Sequence, residues 1–112
     1  GISSVAGLRG RQSNYIYGAA KAGLNVYLQG LRHRLFKRGI QVTTVLPGFV
    51  RTKMTEKLDL PQRLVVEPEV AAEAIYRGWQ KKRAVVYAPG FWRWIMLIIR
   101  SIPGPVFNRT RL

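Results

Sequence analysis

Tyr17 and Lys21 stand four residues apart, so on a helix their side chains leave the same face about one turn apart. An ammonium beside a phenol stabilises the phenolate, and a phenol poised in this way can act as a general acid or base. Alone the pair says little, because a tyrosine and a lysine at this spacing on a basic helix usually mean a half-buried ring beside a solvated cation. Two further groups of residues add to it. Ser4 precedes Tyr17 by thirteen residues and could hold a substrate oxygen, and Pro47-Gly48-Phe49-Val50-Arg51-Thr52 supplies a turn and a second hydroxyl.

The elements that must position these groups can be read from the chain. Gly1 to Ser4 has the character of a strand end running into a loop punctuated by Gly7 and Gly10. Ser13 or Asn14 is a good N-cap for a helix continuing to about Arg38, with Ala20, Leu24, Tyr27, Leu28, Leu31 and Leu35 as its buried face and Gly39 as its stop. Ile40 to Leu46 is β-branched and bounded by Gly39 and Pro47-Gly48, which predicts a strand. A polar loop from Phe49 to about Leu64, with room for a short helix, leads to a helix begun by Pro68. There Val70, Ala71, Ala74, Ile75 and Trp79 form a stripe reaching about Lys82. Arg83 to Ala88 is a further strand, stopped by Pro89-Gly90. The order strand, helix, strand, helix, strand implies an α/β fold with parallel strands and right-handed crossovers, in which ligands bind at the carboxyl ends of the strands. Ser4 and Pro47 fall at two such ends.

With those placements, the sequence resembles the short-chain dehydrogenase/reductase family. The residues that carry the resemblance are Ser4, Tyr17-Gly18-Ala19-Ala20-Lys21 and Pro47-Gly48-Phe49-Val50-Arg51-Thr52, in order and at family spacing, supported by Ile2-Ser3-Ser4-Val5-Ala6-Gly7 and Lys21-Ala22-Gly23-Leu24. The likeness runs from Gly1 to about Pro89. It implies NAD or NADP as cofactor and hydride transfer between nicotinamide and a carbonyl or secondary alcohol. By that resemblance Tyr17 exchanges a proton with the substrate oxygen, Ser4 orients that oxygen, and Lys21 favours the phenolate and binds the nicotinamide ribose. Pro47 and Gly48 form the cofactor-side turn, and Val50 and Thr52 contact the carboxamide. Ser3 and Tyr15 are the neighbouring decoys. The first because adjacent strand residues face opposite ways, the second because no lysine lies four residues on.

The family's glycine-rich phosphate-binding turn has no counterpart here, since no Gly-x-x-x-Gly-x-Gly occurs. The expectation is therefore residues 1–90 as the catalytic C-terminal half of a Rossmann-type doubly wound sheet, inactive and weakly stable alone, with 91–112 an apolar aromatic helix and basic tail. A narrower likeness joins Arg9, Arg11, Ser13-Asn14, the Val50-Arg51-Thr52-Lys53-Met54 segment and the terminal helix to reductases of polyprenyl-phosphoryl keto-pentoses in arabinose donor biosynthesis. It implies a lipid-linked substrate. Arg9, Arg11, Arg51 and Lys53 then become candidates to hold its phosphate, against the plainer reading that they are solvated loop charges.

Composition limits the alternatives. The 112 residues carry 19 Lys and Arg against 5 Asp and Glu, a formal net charge of +14, and no cysteine. Thiolate chemistry and disulfides are excluded, and one histidine with five carboxylates makes a metal centre improbable. His33, between two arginines, belongs on the surface, and Glu73 can pair with Arg77. Residues 1–50 and 81–112 each hold seven cations and no acid, which favours anionic partners. The helix from Phe91 to Ile102, ended by Pro103 and Pro105, is too short to cross a bilayer. Arg93 and Arg100 share one face of it, and Phe91, Trp94, Ile95, Ile98 and Ile102 share another. Trp92 and Trp94 suit a headgroup boundary, and docking on the core or on a partner fits equally well. A cytoplasmic location is the expectation, with membrane-surface contact by this helix and docking on the core or on a partner standing as equal alternatives. Two other readings stand beside the oxidoreductase. One is a non-catalytic basic module binding anionic lipid or nucleic acid, although no nucleic-acid motif is present. The other is a truncated relative that only dimerises, with Tyr27, Leu31 and Trp79 on the helix faces of a homo-oligomer.

Overall fold

The β-branched runs pair as strands and the amphipathic segments cover them in the computed structural model, which describes residues 1–112. Helix α1 spans Tyr15–Leu35, strand β1 Thr44–Pro47, helix α2 Pro68–Gln80, strand β2 Val85–Ala88 and helix α3 Trp92–Ser101, followed by a one-turn helix α4 at Gly104–Phe107. β1 and β2 are parallel, with Thr44 opposite Val85 and Pro47 opposite Ala88. Ile2 makes a parallel bridge to Val45 on the other edge of β1. The N–H of Ser3 donates to Val45 and the N–H of Val45 to Gly1, so the first residues act as a third, minimal strand.

Alternate residues of β1 serve opposite faces. Thr44 accepts a 2.7 Å bond from Arg32 on α1, and Leu46 joins Val5, Trp92 and Met96 in one apolar cluster. Val45 and Ala88 instead pack with Ala71 of α2. α1 thus lies on one side of the sheet and α2 on the other. Because Ile2, β1 and β2 follow one another in a single direction across the sheet, two right-handed crossovers would place both helices on the same side. The expectation of right-handed crossovers throughout is therefore corrected: one of the two is left-handed. The core is thin: 15 of 112 residues are buried, and the radius of gyration of 14.7 Å exceeds the roughly 13 Å of a compact domain this long.

Several boundaries differ from the sequence reading. The strand expected from Ile40 begins only at Thr44, because its partner β2 itself begins at Val85. α1 ends at Leu35, and a 3-10 turn at Phe36–Arg38 closes on Gly39, whose φ of 70° is a left-handed stop. Asn14 holds the N-cap position but makes no side-chain cap bond. The inward face of α1 is Gly18, Asn25 and Leu28, with Ala20 and Tyr27 turned outward, since close contact with the preceding loop selects small residues. On α2 the sheet side is Ala71, Ala74, Ile75 and Gly78, and Val70 and Trp79 are exposed. Gly78 is needed because a Cβ there would collide with Val86. The Phe49–Leu64 loop holds only a 3-10 turn at Gln62–Leu64. Pro103 and Pro105 do not finish the helical region. Pro105 sits in the first turn of α4, where its missing N–H costs no hydrogen bond.

α3 also departs from expectation. Trp92 and Met96 are buried in the cluster with Val5 and Leu46, so Trp92 is a core residue and not one for a headgroup boundary. The outward face is Trp94, Leu97 and Ile98, while Ile95 and Ile102 are half-buried. His33 is exposed, and Glu73 and Arg77 pair at 2.6 Å on the surface.

Candidate active site

The register places the site. With Ile2 opposite Val45, Ser4 comes level with Pro47, and Pro47 is opposite Ala88, so one line across the carboxyl ends of the strands carries Ser4, the Pro47-Gly48 turn and the last residue of β2. Ser4 is extended, and its Oγ accepts the N–H of Ala6 at 3.1 Å, capping the 3-10 turn Val5–Gly7. That bond occupies a lone pair and leaves the O–H proton available to an external oxygen. Ser3 points elsewhere: its Oγ donates to the carbonyl of Lys21 at 3.2 Å, tying the strand to α1.

Two glycines bring the serine turn against the start of α1. A Cβ on Gly18 would come 2.9 Å from the Ala6 carbonyl oxygen, and one on Gly7 would come 2.7 Å from the backbone of Ala22. Neither contact was foreseen in the sequence, where Gly7 reads as loop punctuation and Gly18 as an unremarked position within the Tyr-x-x-x-Lys motif. The close packing also buries Asn25, whose side-chain amide finds no hydrogen-bond partner within the chain.

Tyr17 is half-buried, and the Lys21 ammonium lies 5.6 Å from the centre of its ring. Lys21 donates to the Ile2 carbonyl at 3.5 Å, a long bond that steadies the ammonium and leaves its other protons free. Tyr15 is turned to solvent at 64% exposure. The helix therefore presents a phenol and an ammonium beside the turn that Ser4 begins.

The 47–52 segment is fixed by its backbone. Gly48 N–H donates to Ala88 at 3.2 Å, Val66 N–H donates to Phe49 at 3.0 Å and Arg51 N–H to Val66 at 2.9 Å. These bonds leave the N–H of Val50 without a partner in the chain. Thr55 Oγ donates to the Val50 carbonyl at 2.6 Å and accepts from the Thr52 N–H at 3.0 Å, which holds Thr52 in place. The Trp92 indole presses on the Pro47-Gly48 turn so closely that Gly48 has no room for a Cβ, and Phe49 meets the same indole edge-on at 4.9 Å.

The four candidate phosphate-holding cations are not equivalent. Arg9 is occupied: its guanidinium donates to the carbonyls of Ile99 and Ile102 at 2.7 and 2.6 Å and lies 3.8 Å over the Phe107 ring. It caps the end of α3, where carbonyls lack helical partners, and is not a free phosphate ligand. Arg51 pairs with Glu67 at 2.7 Å, both about half exposed at 56%, so a carboxylate already competes for it. Arg11 and Lys53 carry no ion pair. Arg9→Ala is expected to lower stability by about 1–3 kcal/mol through the two orphaned carbonyls, read as a shift in the urea midpoint. Arg51→Gln should move that midpoint little, since exposed pairs contribute at most about 1 kcal/mol.

Comparison with known proteins identifies the family. The short chain dehydrogenase family profile matches residues 1–63, and the chain belongs to that family. Among its relatives, an uncharacterized oxidoreductase from the mprA 5' region of Streptomyces coelicolor is 39% identical over 96% of this chain and 42% of its own length. The uncharacterized oxidoreductase Rv2073c of Mycobacterium tuberculosis is 40% identical over 96% of this chain and 43% of its own. The chain thus spans less than half the length of the curated relatives it matches. Of solved structures, a short-chain dehydrogenase from Sphingobium yanoikuyae in complex with NADPH superposes with a TM-score of 0.70 at 29% identity, over 92% of this chain and 44% of that one. The bulky-bulky ketone specific alcohol dehydrogenase from Comamonas testosteroni gives 0.65 at 30% identity, over 92% and 42%.

Proposed function

We propose that this chain is the C-terminal catalytic half of an NAD(P)-dependent oxidoreductase that interconverts a carbonyl and a secondary alcohol. The observation that carries the reading is the placement of the Tyr17 phenol and Lys21 ammonium beside the turn capped by Ser4, level with the Pro47-Gly48 turn. Its residues suit the nicotinamide end of a dinucleotide. Lys21 has ammonium protons to spare for a ribose hydroxyl, and the unpartnered Val50 N–H and the fixed Thr52 suit a carboxamide. When bound, the dinucleotide supplies the hydride that a carbonyl carbon accepts, or takes it back from the alcohol. Ser4 donates a hydrogen bond from its free O–H to the substrate oxygen and orients it, keeping its own proton. Tyr17 delivers a proton to that oxygen in reduction, and Lys21 stabilises the phenolate left behind.

The substrate's carbonyl neighbourhood is left to residues outside this geometry, and a polyprenyl-phosphate-linked keto-sugar is the finer reading, resting on Arg11 and Lys53 as its free cations. Assembly into a homo-oligomer has support in the outward face of α1, where Ile16, Val26 and Tyr27 are exposed.

The test uses the complete polypeptide that carries this chain. Nicotinamide absorbance should fall when NADPH or NADH is mixed with a panel of ketones that includes keto-sugars. Lys21→Met should lower kcat/KM by about a hundredfold or more, with dinucleotide affinity weakened as well. Full activity in that variant would overturn the assignment.

A further inference from the structure

Away from the candidate active site, β2 leaves its outer edge unpaired, because β1 is its only neighbour in the sheet. Along that edge runs an open groove of about 680 Å³ whose lining includes Arg77, Lys81, Arg83 and Arg93 with the rings of Tyr87 and Trp94. The carboxylate in contact with this group is Glu73, spent on Arg77. Residues 81–112 contain seven cations and no acid, so the groove is strongly positive.

The groove continues directly into an apolar surface. Trp94, which lines it, is 62% exposed and begins a stripe with Leu97 and Ile98, at 56% and 67% exposure, on one face of α3. Arg93 lies 5.7 Å over the Trp94 ring, and Arg100 stands two turns further along. The opposite face of α3 is sealed into the core through Trp92 and Met96, so the stripe is held outward by packing on the far side. An anchored helix with apolar residues outward, flanked by arginines and joined to a cationic groove, has the form of a surface that enters the headgroup layer of an anionic bilayer.

We propose that this face, α3 together with the groove along β2, docks the protein on an anionic phospholipid membrane, with Leu97 and Ile98 in the acyl boundary, Trp94 at the headgroup level, and Arg83 and Arg93 on lipid phosphates. Charge selects this occupant. A second copy meeting the groove about a two-fold axis would set the same four cations against their own images, and a nucleic acid would leave the three exposed apolar side chains of α3 without a partner. The proposal does not depend on the oxidoreductase reading.

The experiment is co-sedimentation of the complete polypeptide with vesicles of phosphatidylcholine alone and of phosphatidylcholine mixed with phosphatidylglycerol. Binding is expected to the mixed vesicles and not to the neutral ones, and to fall as salt is raised. Arg83→Gln combined with Arg93→Gln should lower the partition constant by about 25-fold, taking about fivefold per cation. Leu97→Asp should remove vesicle binding while turnover of a water-soluble ketone stays at the parental rate, which separates failure here from failure of the catalytic assignment. These side chains are exposed, so the variants should fold, which circular dichroism checks. Absence of binding, equal binding to neutral vesicles, or unchanged binding in Leu97→Asp would overturn the proposal. So would tighter binding to duplex DNA that ignores Leu97→Asp, or conversion of an oligomer to monomers by that substitution.

Discussion

Tyr17→Phe in the complete polypeptide should reduce kcat by about a thousandfold or more while leaving dinucleotide affinity within about twofold, because one hydroxyl supplies the proton and the ring itself is retained. The ring is half-buried, and phenylalanine fills the same space, so the fold is preserved and the loss is chemical. Steady-state rates together with a fluorescence titration of the reduced dinucleotide separate the two quantities. Activity within tenfold of the parent would assign the proton to another group. Nothing else at the site matches the phenol's position: Tyr15 faces solvent, and the Ser3 hydroxyl is committed to the Lys21 carbonyl.

Trp92→Ala should be the most damaging substitution to stability, costing about 3–5 kcal/mol out of a total that for most domains is only about 5–15 kcal/mol. Trp92 is 4% exposed in a four-residue buried cluster, and its indole is the surface on which both Gly48 and Phe49 rest. Its loss would empty the space beneath the Pro47-Gly48 turn, so KM for the dinucleotide should rise along with the drop in stability. Trp92→Phe provides the control. The indole N–H is buried without a hydrogen-bond partner, so phenylalanine forfeits volume and no bond. It should therefore retain most of the stability in urea denaturation. Equal loss in both variants would show that ring size, not support of the turn, governs the cluster.

The alternation of strands and helices was readable because it depends on periodicity and on glycine and proline punctuation, which are local. Ser4, Tyr17, Lys21 and the Pro47-to-Thr52 segment were readable for a related reason: their spacing along the chain is fixed by the strand and helix that carry them. What escaped the sequence depends on contacts between distant elements. Gly18 and Gly78 face inward because backbone or a valine approaches them, and an amphipathic pattern that counts only large apolar residues overlooks such positions. Trp92 and Trp94 look alike in sequence, and only the packing of α3 on Val5 and Leu46 sends one into the core and the other outward. Arg9 looks like a free loop cation until the end of α3, some ninety residues on, turns out to be its partner.

That last bond joins two parts of the molecule with different tasks. Arg9 lies five residues beyond Ser4, and next to it Gln12 and Ser13 donate to the carbonyls of Thr110 and Leu112 at 3.4 and 2.8 Å. The loop that begins at the serine is therefore clasped from outside by the segment after α3. Through that guanidinium the end of α3 and the loop that follows Ser4 are mechanically continuous, so a tilt of the helix would be felt in the turn to which the proposed mechanism assigns the substrate oxygen.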